Sequence, residues 1–310
     1  MKRFFNKFIF LFFVVVLFYP MLIFISRVPF VDQFSINFNK LSIRKGGNTF
    51  LRFQDADTTQ NIDLLILGSS MAYRGVDPRA FDSLGLAVFN LGTSGQTPMQ
   101  TRFLIDKYLY KLNPKSVLWE ISPFTFTQAG SESFLDLISV RKDYQEMAYM
   151  LPYFKDILPI NAFLDRLLFN ELESTDGEIM LDKEDVYIKG GFVETRRKAE
   201  KIPKLEEISL EMLDFQKEIF ESVLDSLVKR NIKVYLFQSP VSEVYFSSIQ
   251  NKETNYNYIL EIANKYDVEF FDFNSIELCD CFYDEIHLTK DGVEDFNKEL
   301  IRVFFKNNDM

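Results

Sequence analysis

Residues 62–70 read IDLLILGSS, a short apolar run that ends in a glycine and two serines. An apolar run of this length, bounded by a turn signal, is typical of a strand that is buried on both faces of a parallel sheet. The glycine marks the turn at which the chain leaves the sheet. This stretch predicts an α/β fold and places Ser69 and Ser70 at the carboxyl end of the first strand.

Four further apolar runs repeat the pattern, and segments with helical spacing separate them. The predicted strands cover residues 86–91, 116–121, 232–237 and 268–273, and the predicted helices cover about 98–111, 214–229, 255–266 and 290–305. Strands that alternate with helices form a parallel sheet covered on both faces. We therefore expect an α/β, flavodoxin-like three-layer sandwich with a five-stranded parallel sheet.

The amino terminus differs from this body in composition. Residues 8–26 carry no charge, and three cations precede them: Lys2, Arg3 and Lys7. About 20 apolar residues suffice for a helix to cross a bilayer, and no small-x-small cleavage site follows. We predict a transmembrane signal anchor at 8–26, with residues 1–7 in the cytoplasm and the body periplasmic or extracellular. A cleaved signal peptide is the alternative.

Two other segments lie outside the strand–helix alternation. Residues 27–60 are mixed and polar, and they are predicted to connect the anchor to a body at 61–310. Residues 130–205 are too long for a plain loop between two units of the sheet. They are predicted to form an insertion that covers or borders the working edge of the sheet.

Charge and composition exclude several function classes. The 310 residues carry a formal net charge of -10, which argues against nucleic acid as a partner. A single histidine excludes a zinc site built from two or more imidazoles, and we predict neither a metal nor a cofactor. An extracytoplasmic site permits a disulfide between the two cysteines, Cys279 and Cys281, but at this spacing they bridge only with strain; two inert thiols are the structural explanation. A redox function is the weaker alternative, since catalytic dithiols usually have the spacing C-x-x-C.

Chemically useful side chains follow three of the predicted strands. Ligands of open parallel sheets bind beyond the carboxyl ends of the strands. Ser70 follows the first strand, the glycine-rich loop 90–96 (NLGTSGQ) follows the second, and Asp284 and His287 follow the fifth. All of them are predicted at the same edge of the sheet.

The order serine, glycine loop, aspartate and histidine has a chemical meaning. A serine hydroxyl is a poor nucleophile until a base takes its proton, and an acceptor on the other ring nitrogen holds that base. Asp284 can meet His287 within one turn, and glycines let backbone N–H groups approach an oxyanion. Each feature also has a structural explanation: a helix cap at Ser70, a tight turn at 90–95, or a surface pair of Asp284 and His287.

These segments resemble the SGNH (GDSL-type) hydrolase superfamily. Gly68-Ser69-Ser70 resembles its first block, Ser94-Gly95-Gln96-Thr97 its second, and Asp284-Glu285-Ile286-His287 its last. The resemblance implies Ser70 as nucleophile, His287 as base and Asp284 as acid, with the N–H groups of Ser70 and Gly95 in the oxyanion hole. The third block departs, because Trp119–Pro123 (WEISP) has no asparagine; the region of Ser122 is one possible source of the third donor.

A longer stretch, LGSS at 67–70 through RGVDP at 74–78, resembles membrane-anchored SGNH proteins of envelope polysaccharide O-acetylation and teichoic-acid D-alanylation. That resemblance implies an extracytoplasmic O-acetyltransferase or acetylesterase with an acyl-serine intermediate. It also implies two partners, a cell-envelope polysaccharide and a membrane-bound O-acyltransferase. The alternative is a non-catalytic scaffold or glycan-binding partner of such an acyltransferase.

Overall fold

The structure is a computed structural model, and it describes residues 2–26, 47–141, 143–169, 183–276 and 281–305. The chain divides into two units. The small unit comprises Met1–Gly46 and Phe134–Ile179, and the large unit comprises Gly47–Ser133 and Met180–Met310.

The large unit contains a five-stranded, entirely parallel sheet. Its strands are β1 (Leu64–Leu67), β2 (Val88–Asn90), β3 (Ser116–Glu120), β6 (Lys233–Gln238) and β7 (Glu269–Asp272), in the spatial order β2-β1-β3-β6-β7. Leu65 pairs with Phe89 on one side and with Val117 on the other. Counted along the sheet's own strands, this is the flavodoxin-like order 2-1-3-4-5, whose switch point lies between the first and third strands. The prediction of a five-stranded parallel α/β sheet is confirmed.

Helices pack on this sheet, and short 3₁₀ helices join several of the elements. The helices of the described residues, in both units, are α1 (Lys2–Ser26), α2 (Gly47–Ala56), α3 (Ser70–Gly75), α4 (Pro98–Leu112), α5 (Ser131–Val140), α6 (Leu158–Phe169), α7 (Asp214–Lys229), α8 (Glu243–Ser248), α9 (Lys252–Tyr266) and α10 (Lys290–Phe304). The 3₁₀ helices are Pro78–Leu84, Pro123–Phe126, Ala148–Tyr153 and Phe273–Ser275. The predicted helix bounds agree with the observed ones to within three residues for all four predicted helices, at 98–111, 214–229, 255–266 and 290–305.

One part of the core of the large unit lies between the sheet and α10, and another packs Trp119 of β3 against Phe220 of α7. The four residues of β1 are fully buried, as an apolar run without polar alternation requires. Phe296, Leu300 and Phe304 recur at intervals of four on α10 and pack into the same cluster as Ile66. Burial of one such side chain contributes about 1.5–3 kcal/mol, so this helix is held firmly against the strands that carry the site.

The structure places the start of the large unit earlier in the chain than the sequence predicts. Residues 47–56, predicted as part of a connector, form helix α2, whose Phe53 is buried and whose Arg52 Nε donates to Gly191 O at 2.9 Å. The large unit therefore begins at residue 47, whereas the predicted body begins at residue 61. The difference arises because the polar stretch 47–56 forms an amphipathic helix.

The segment 130–205 is divided rather than a single insertion. Its last part forms an antiparallel hairpin of β4 (Asp185–Ile188) and β5 (Phe192–Thr195). Asn90 N donates to Gly190 O at 2.7 Å, so the hairpin lies beside the end of β2. Helix α6 belongs instead to the small unit. The hairpin borders the sheet, as predicted for the whole segment.

The small unit contains α1, most of α5, and α6. Tyr19 of α1 donates a hydrogen bond to Asn161 of α6. Large apolar side chains of α1, among them Phe10 and Leu17, are exposed within this unit. The signal-anchor prediction for residues 8–26 finds no counterpart, because no helix within the described ranges combines the length and hydropathy that a membrane crossing needs.

Candidate active site

The turn after β1 presents Ser70. Gly68 adopts a φ of +139°, and a Cβ atom there would lie 2.5 Å from Glu120 Cβ, so both the backbone conformation and the space require glycine. Ser69 is the N-cap of α3, and its Oγ accepts from Met71 N at 3.2 Å. Ser70 is the first residue of this helix and is partly exposed.

Glu120, at the end of β3, holds this turn in place through hydrogen bonds. Its side chain is buried, and its Oε2 accepts from Ser69 N at 3.0 Å and from Ser69 Oγ at 2.8 Å. Its Oε1 accepts from Ser122 N at 2.8 Å. A buried carboxylate needs such partners, and they tie the turn that carries Ser70 to the neighbouring strand. Sequence reasoning assigned Glu120 no role; its signal is an acid at the end of the otherwise apolar run SVLW.

Ser70, His287 and Asp284, the three residues predicted to be catalytic, form a continuous hydrogen-bonded chain. Ser70 Oγ lies 2.8 Å from His287 Nε2. His287 Nδ1 lies 2.8 Å from Asp284 Oδ2 and 3.0 Å from Oδ1. Since an ionised carboxylate only accepts, Nδ1 carries the proton and the lone pair of Nε2 faces the serine hydroxyl.

Asp284 is itself held in place by the backbone. Its Oδ1 accepts from Ile286 N at 3.0 Å and from His287 N at 2.7 Å. Burial acts to raise the pKa of Asp284, but the hydrogen bonds from the His287 ring and from these amides outweigh it and hold the pKa below its ordinary value. Asp284 is therefore ionised near neutral pH.

The loop that carries the histidine is closed at its base. Phe282 and Leu288 form an antiparallel bridge, and Tyr283 N donates to His287 O at 3.1 Å. The Tyr283 ring stacks on the His287 ring with centroids 5.6 Å apart and an interplanar angle of 9°. The stack restricts rotation of the imidazole, so the ring plane is set by packing as well as by Asp284.

The glycine-rich loop lies against the turn of the nucleophile. Thr93 N donates to Gly68 O at 3.2 Å, and Tyr73 Oη lies 3.2 Å from Ser94 Oγ. Gly95 adopts a φ of +56°, in the left-handed region, and a Cβ there would lie 3.1 Å from Glu132 Oε2. The structure brings this loop and Ser70 to the same edge of the sheet; the oxyanion role of the Ser70 and Gly95 N–H groups stays a prediction.

Ser122 occupies the position after β3 where the third block departs. Its amide is engaged by Glu120, but its buried Oγ has no hydrogen-bond partner among the described residues. The hydroxyl is thus available as a donor, whereas the amide is not.

Arg74 belongs to the scaffold of the site. Its guanidinium binds both carboxylate oxygens of Asp185, at 3.0 and 2.7 Å, and links α3 to the hairpin. Desolvation acts to lower the pKa of Arg74, but the hydrogen bonds with Asp185 outweigh it and the pKa is raised. Arg74 is a fixed cation in the last turn of the nucleophile's helix α3.

Two other sequence expectations concern metals and thiols. The described residues contain no group of three or more His, Cys, Asp and Glu side chains that could hold a metal ion. Cys281 is disulfide-bonded, so it is not an inert thiol. Cys279 lies outside the described residues.

Comparisons with known proteins gave structural neighbours only. No family model matches the chain, and no curated protein matches it either. The chain is similar to known hydrolases. A GDSL-like lipase from Bacteroides thetaiotaomicron VPI-5482 is 14% identical with a TM-score of 0.43, over 83% of this chain and 96% of that one. A catalytic mutant of an acetylxylan esterase from Geobacillus stearothermophilus is 12% identical with a TM-score of 0.41, over 79% and 94%. Because both TM-scores are below 0.5, we base the functional proposal on the geometry of the site.

Proposed function

We propose that the chain is a Ser-His-Asp acyl-transfer enzyme of the SGNH type, acting through an acyl-serine intermediate. One observation carries the proposal: Ser70 Oγ, both ring nitrogens of His287 and the Asp284 carboxylate are joined by contacts of 2.8 Å. This arrangement supplies a nucleophile, a base in the required tautomer and an orienting anion.

The reaction proceeds in two halves. Ser70 Oγ attacks the carbonyl carbon of an ester while its proton passes to His287 Nε2. The tetrahedral oxyanion is stabilised by the N–H groups of Ser70 and Gly95, then collapses; the C–O bond to the leaving alkoxide breaks, and the alkoxide takes the proton from Nε2. A water molecule or an acceptor hydroxyl next attacks the acyl-serine and gives its proton to His287, and Ser70 recovers that proton on release.

The substrate class is the finer part of the proposal. The resemblance of residues 67–78 to envelope acylation proteins favours an acetyl ester of a cell-envelope glycan as donor or product. Attack by water makes the chain an acetylesterase, and attack by a sugar hydroxyl makes it an O-acetyltransferase, which would work with a membrane-bound O-acyltransferase.

We further propose that the large unit works outside the cytoplasm. The proposal rests on the charge pattern of the sequence, in which three cations precede the uncharged stretch 8–26. It does not require a membrane-spanning helix, since a cleaved signal peptide has the same pattern. Protease treatment of spheroplasts, compared with lysed spheroplasts, is the test: release of the large unit or its digestion before lysis is expected, and protection until lysis would contradict the proposal.

A fluorophosphonate tests the catalytic proposal without the natural substrate. The full-length chain should gain one covalent adduct, and peptide mapping should place it on Ser70. Ser70→Ala and His287→Ala should abolish the adduct, whereas Ser209→Ala, which removes an exposed serine hydroxyl far along the chain, should label like wild type. Absence of labelling on the folded protein would favour the scaffold alternative, which the missing asparagine after β3 supports.

A further inference from the structure

A pocket of about 210 Å³ opens beside the triad in the large unit. Met71 and Ile286 both line it, and each is one residue away in the chain from a triad member, Ser70 or His287. Consecutive Cα atoms are about 3.8 Å apart, so the pocket adjoins the backbone that carries Ser70 and His287. The rest of the wall comes from Leu210 and from the segments that end or follow β3, β6 and β7.

The wall of this pocket is mainly apolar and aromatic. Its large side chains are Phe124, Leu210, Tyr245, Phe246 and Tyr256. Flat rings of this kind pack against the C–H face of a small ring and exclude water from it. A cavity of about 150 Å³ is known to hold benzene, so this one accommodates a six-membered ring with substituents.

Three of the lining residues, here called the floor, each carry a buried polar atom without a hydrogen-bond partner in the described part of the chain. Ser122 Oγ, Gln238 Nε2 and Ser239 Oγ are buried, and none has a hydrogen-bond partner among the described residues. The three side chains are 6%, 5% and 3% exposed. Buried polar groups in native structures are nearly always paired, so three together at one pocket, at the ends of β3 and β6, require an explanation.

We propose that this pocket binds a hydroxylated six-membered ring of the size of one sugar unit, attached to the ester that Ser70 attacks. The inference rests on the proposed function and names its substrate class. An amide N–H₂ and two hydroxyls on the floor match ring hydroxyls, while the aromatic wall matches the C–H face. A plain alkyl or cyclohexyl group of equal size fills the volume but leaves the three floor groups unpaired and desolvated.

A ligand-binding role has a signature in stability that a structural role lacks. Because Ser122 Oγ and Ser239 Oγ make no hydrogen bond within the described protein, Ser122→Ala and Ser239→Ala remove no bond from the fold. These variants should have unfolding temperatures equal to or above that of wild type, yet they should lose recognition of the hydroxylated ring.

The test compares esters that differ only in the hydroxyls of the ring. The substrates are cyclohexylmethyl acetate and the methyl 6-O-acetyl-α-D-pyranosides of gluco, galacto and manno configuration. Wild type should favour at least one sugar ester by about tenfold or more in kcat/KM, since a site built for hydroxyls rejects the analogue that lacks them. Gln238→Leu and Ser239→Ala should reduce that ratio at least about fivefold. Gln250→Leu, the same change on an exposed glutamine outside the pocket, should keep it.

Two results would overturn the proposal. One is a wild-type enzyme that cleaves cyclohexylmethyl acetate as well as all three sugar esters; the other is a sugar preference that survives both floor variants. If no ester is cleaved and Ser70 takes no fluorophosphonate, the proposed function fails separately. Saturation-transfer NMR with the three unacetylated methyl glycosides then decides for the pocket: binding that Gln238→Leu abolishes supports it, and absence of binding contradicts it.

Discussion

The turn that carries Ser70 and the floor of the adjoining pocket lie at the same edge of the sheet. They differ in whether their polar atoms have hydrogen-bond partners within the protein. At the turn, the buried Glu120 accepts three hydrogen bonds, and on the neighbouring histidine loop the partly buried Asp284 accepts from two amides and an imidazole. On the floor, Ser122 Oγ, Gln238 Nε2 and Ser239 Oγ have no partner among the described residues. Paired groups fix geometry before a substrate arrives, whereas unpaired groups gain their partners from the substrate.

The largest expected effect comes from a substitution of Asp284, one of the carboxylates that have hydrogen-bond partners. Asp284→Asn keeps the volume but offers Nδ1 a choice between an oxygen and an N–H₂ group, which no longer fixes the tautomer of His287. We expect kcat to fall by about 10³–10⁴-fold with the fold intact. Hydrolysis of an activated acetate ester, together with the circular-dichroism spectrum, measures both.

Asp291→Asn is the matched control, because Asp291 is an exposed aspartate in the first turn of α10. It should change kcat by less than about twofold, as surface substitutions usually do. A loss of equal size in both variants, or full activity in Asp284→Asn, would contradict the role proposed for Asp284.

The second effect concerns Glu120, which touches no substrate but positions the nucleophile. In Glu120→Gln, one of the three donors from Ser69 and Ser122 must face the amide N–H₂ group instead of an oxygen. We expect the free energy of unfolding to fall by about 2–3 kcal/mol, since a buried donor loses its partner. The rate of fluorophosphonate labelling at Ser70 should fall about tenfold as the turn loosens.

Glu218→Gln, on the exposed face of α7, should alter neither quantity. If Glu120→Gln is destabilised but labels Ser70 at the wild-type rate, Glu120 supports the fold alone. The pH profile of labelling sharpens the comparison: a positioning defect lowers the rate at every pH and leaves the shape of the profile unchanged.

Much of the fold was predictable because it rests on local patterns. The five parallel strands were visible as short apolar runs, and the chain order of Ser70, Asp284 and His287 placed them at one edge. The structure brings those three side chains into hydrogen-bond contact. Apolar runs and strand-end residues are sequence features, so no knowledge of long-range pairing was needed.

Features that depend on long-range pairing were not predictable in this way. Glu120 looked like one acid in a strand, because its partners Ser69 and Ser122 are known only once β1 and β3 are adjacent. The division of 130–205 also depends on long-range contact, since the hydrogen bond from Asn90 to Gly190 and the ion pair of Arg74 with Asp185 attach the hairpin to the large unit. Unpaired atoms such as Ser239 Oγ leave no trace in sequence at all.

The smallest expected effect is a difference between the two regions in how they make the stability of the fold depend on pH. Burial raises the pKa of Asp272, which lines the pocket, although hydrogen bonds from Asn274 oppose the rise. The pKa of Asp284 is lowered from the same ordinary value of 3.8. Asp284 therefore adds stability above pH 3.8 that is lost as pH falls through its folded-state pKa, while Asp272 costs stability as pH rises from 3.8 through its own.

The two aspartates should thus separate in a denaturation series. In urea unfolding between about pH 3 and 7, the deficit of Asp284→Asn relative to wild type should grow as pH rises. The stability of Asp272→Asn relative to wild type should instead increase over the same interval, because the variant no longer ionises a buried carboxyl. If the unfolding free energies of the two variants, relative to wild type, had the same dependence on pH, the two carboxyls would have equivalent surroundings. The contrast between the triad and the pocket would then not extend to their charges.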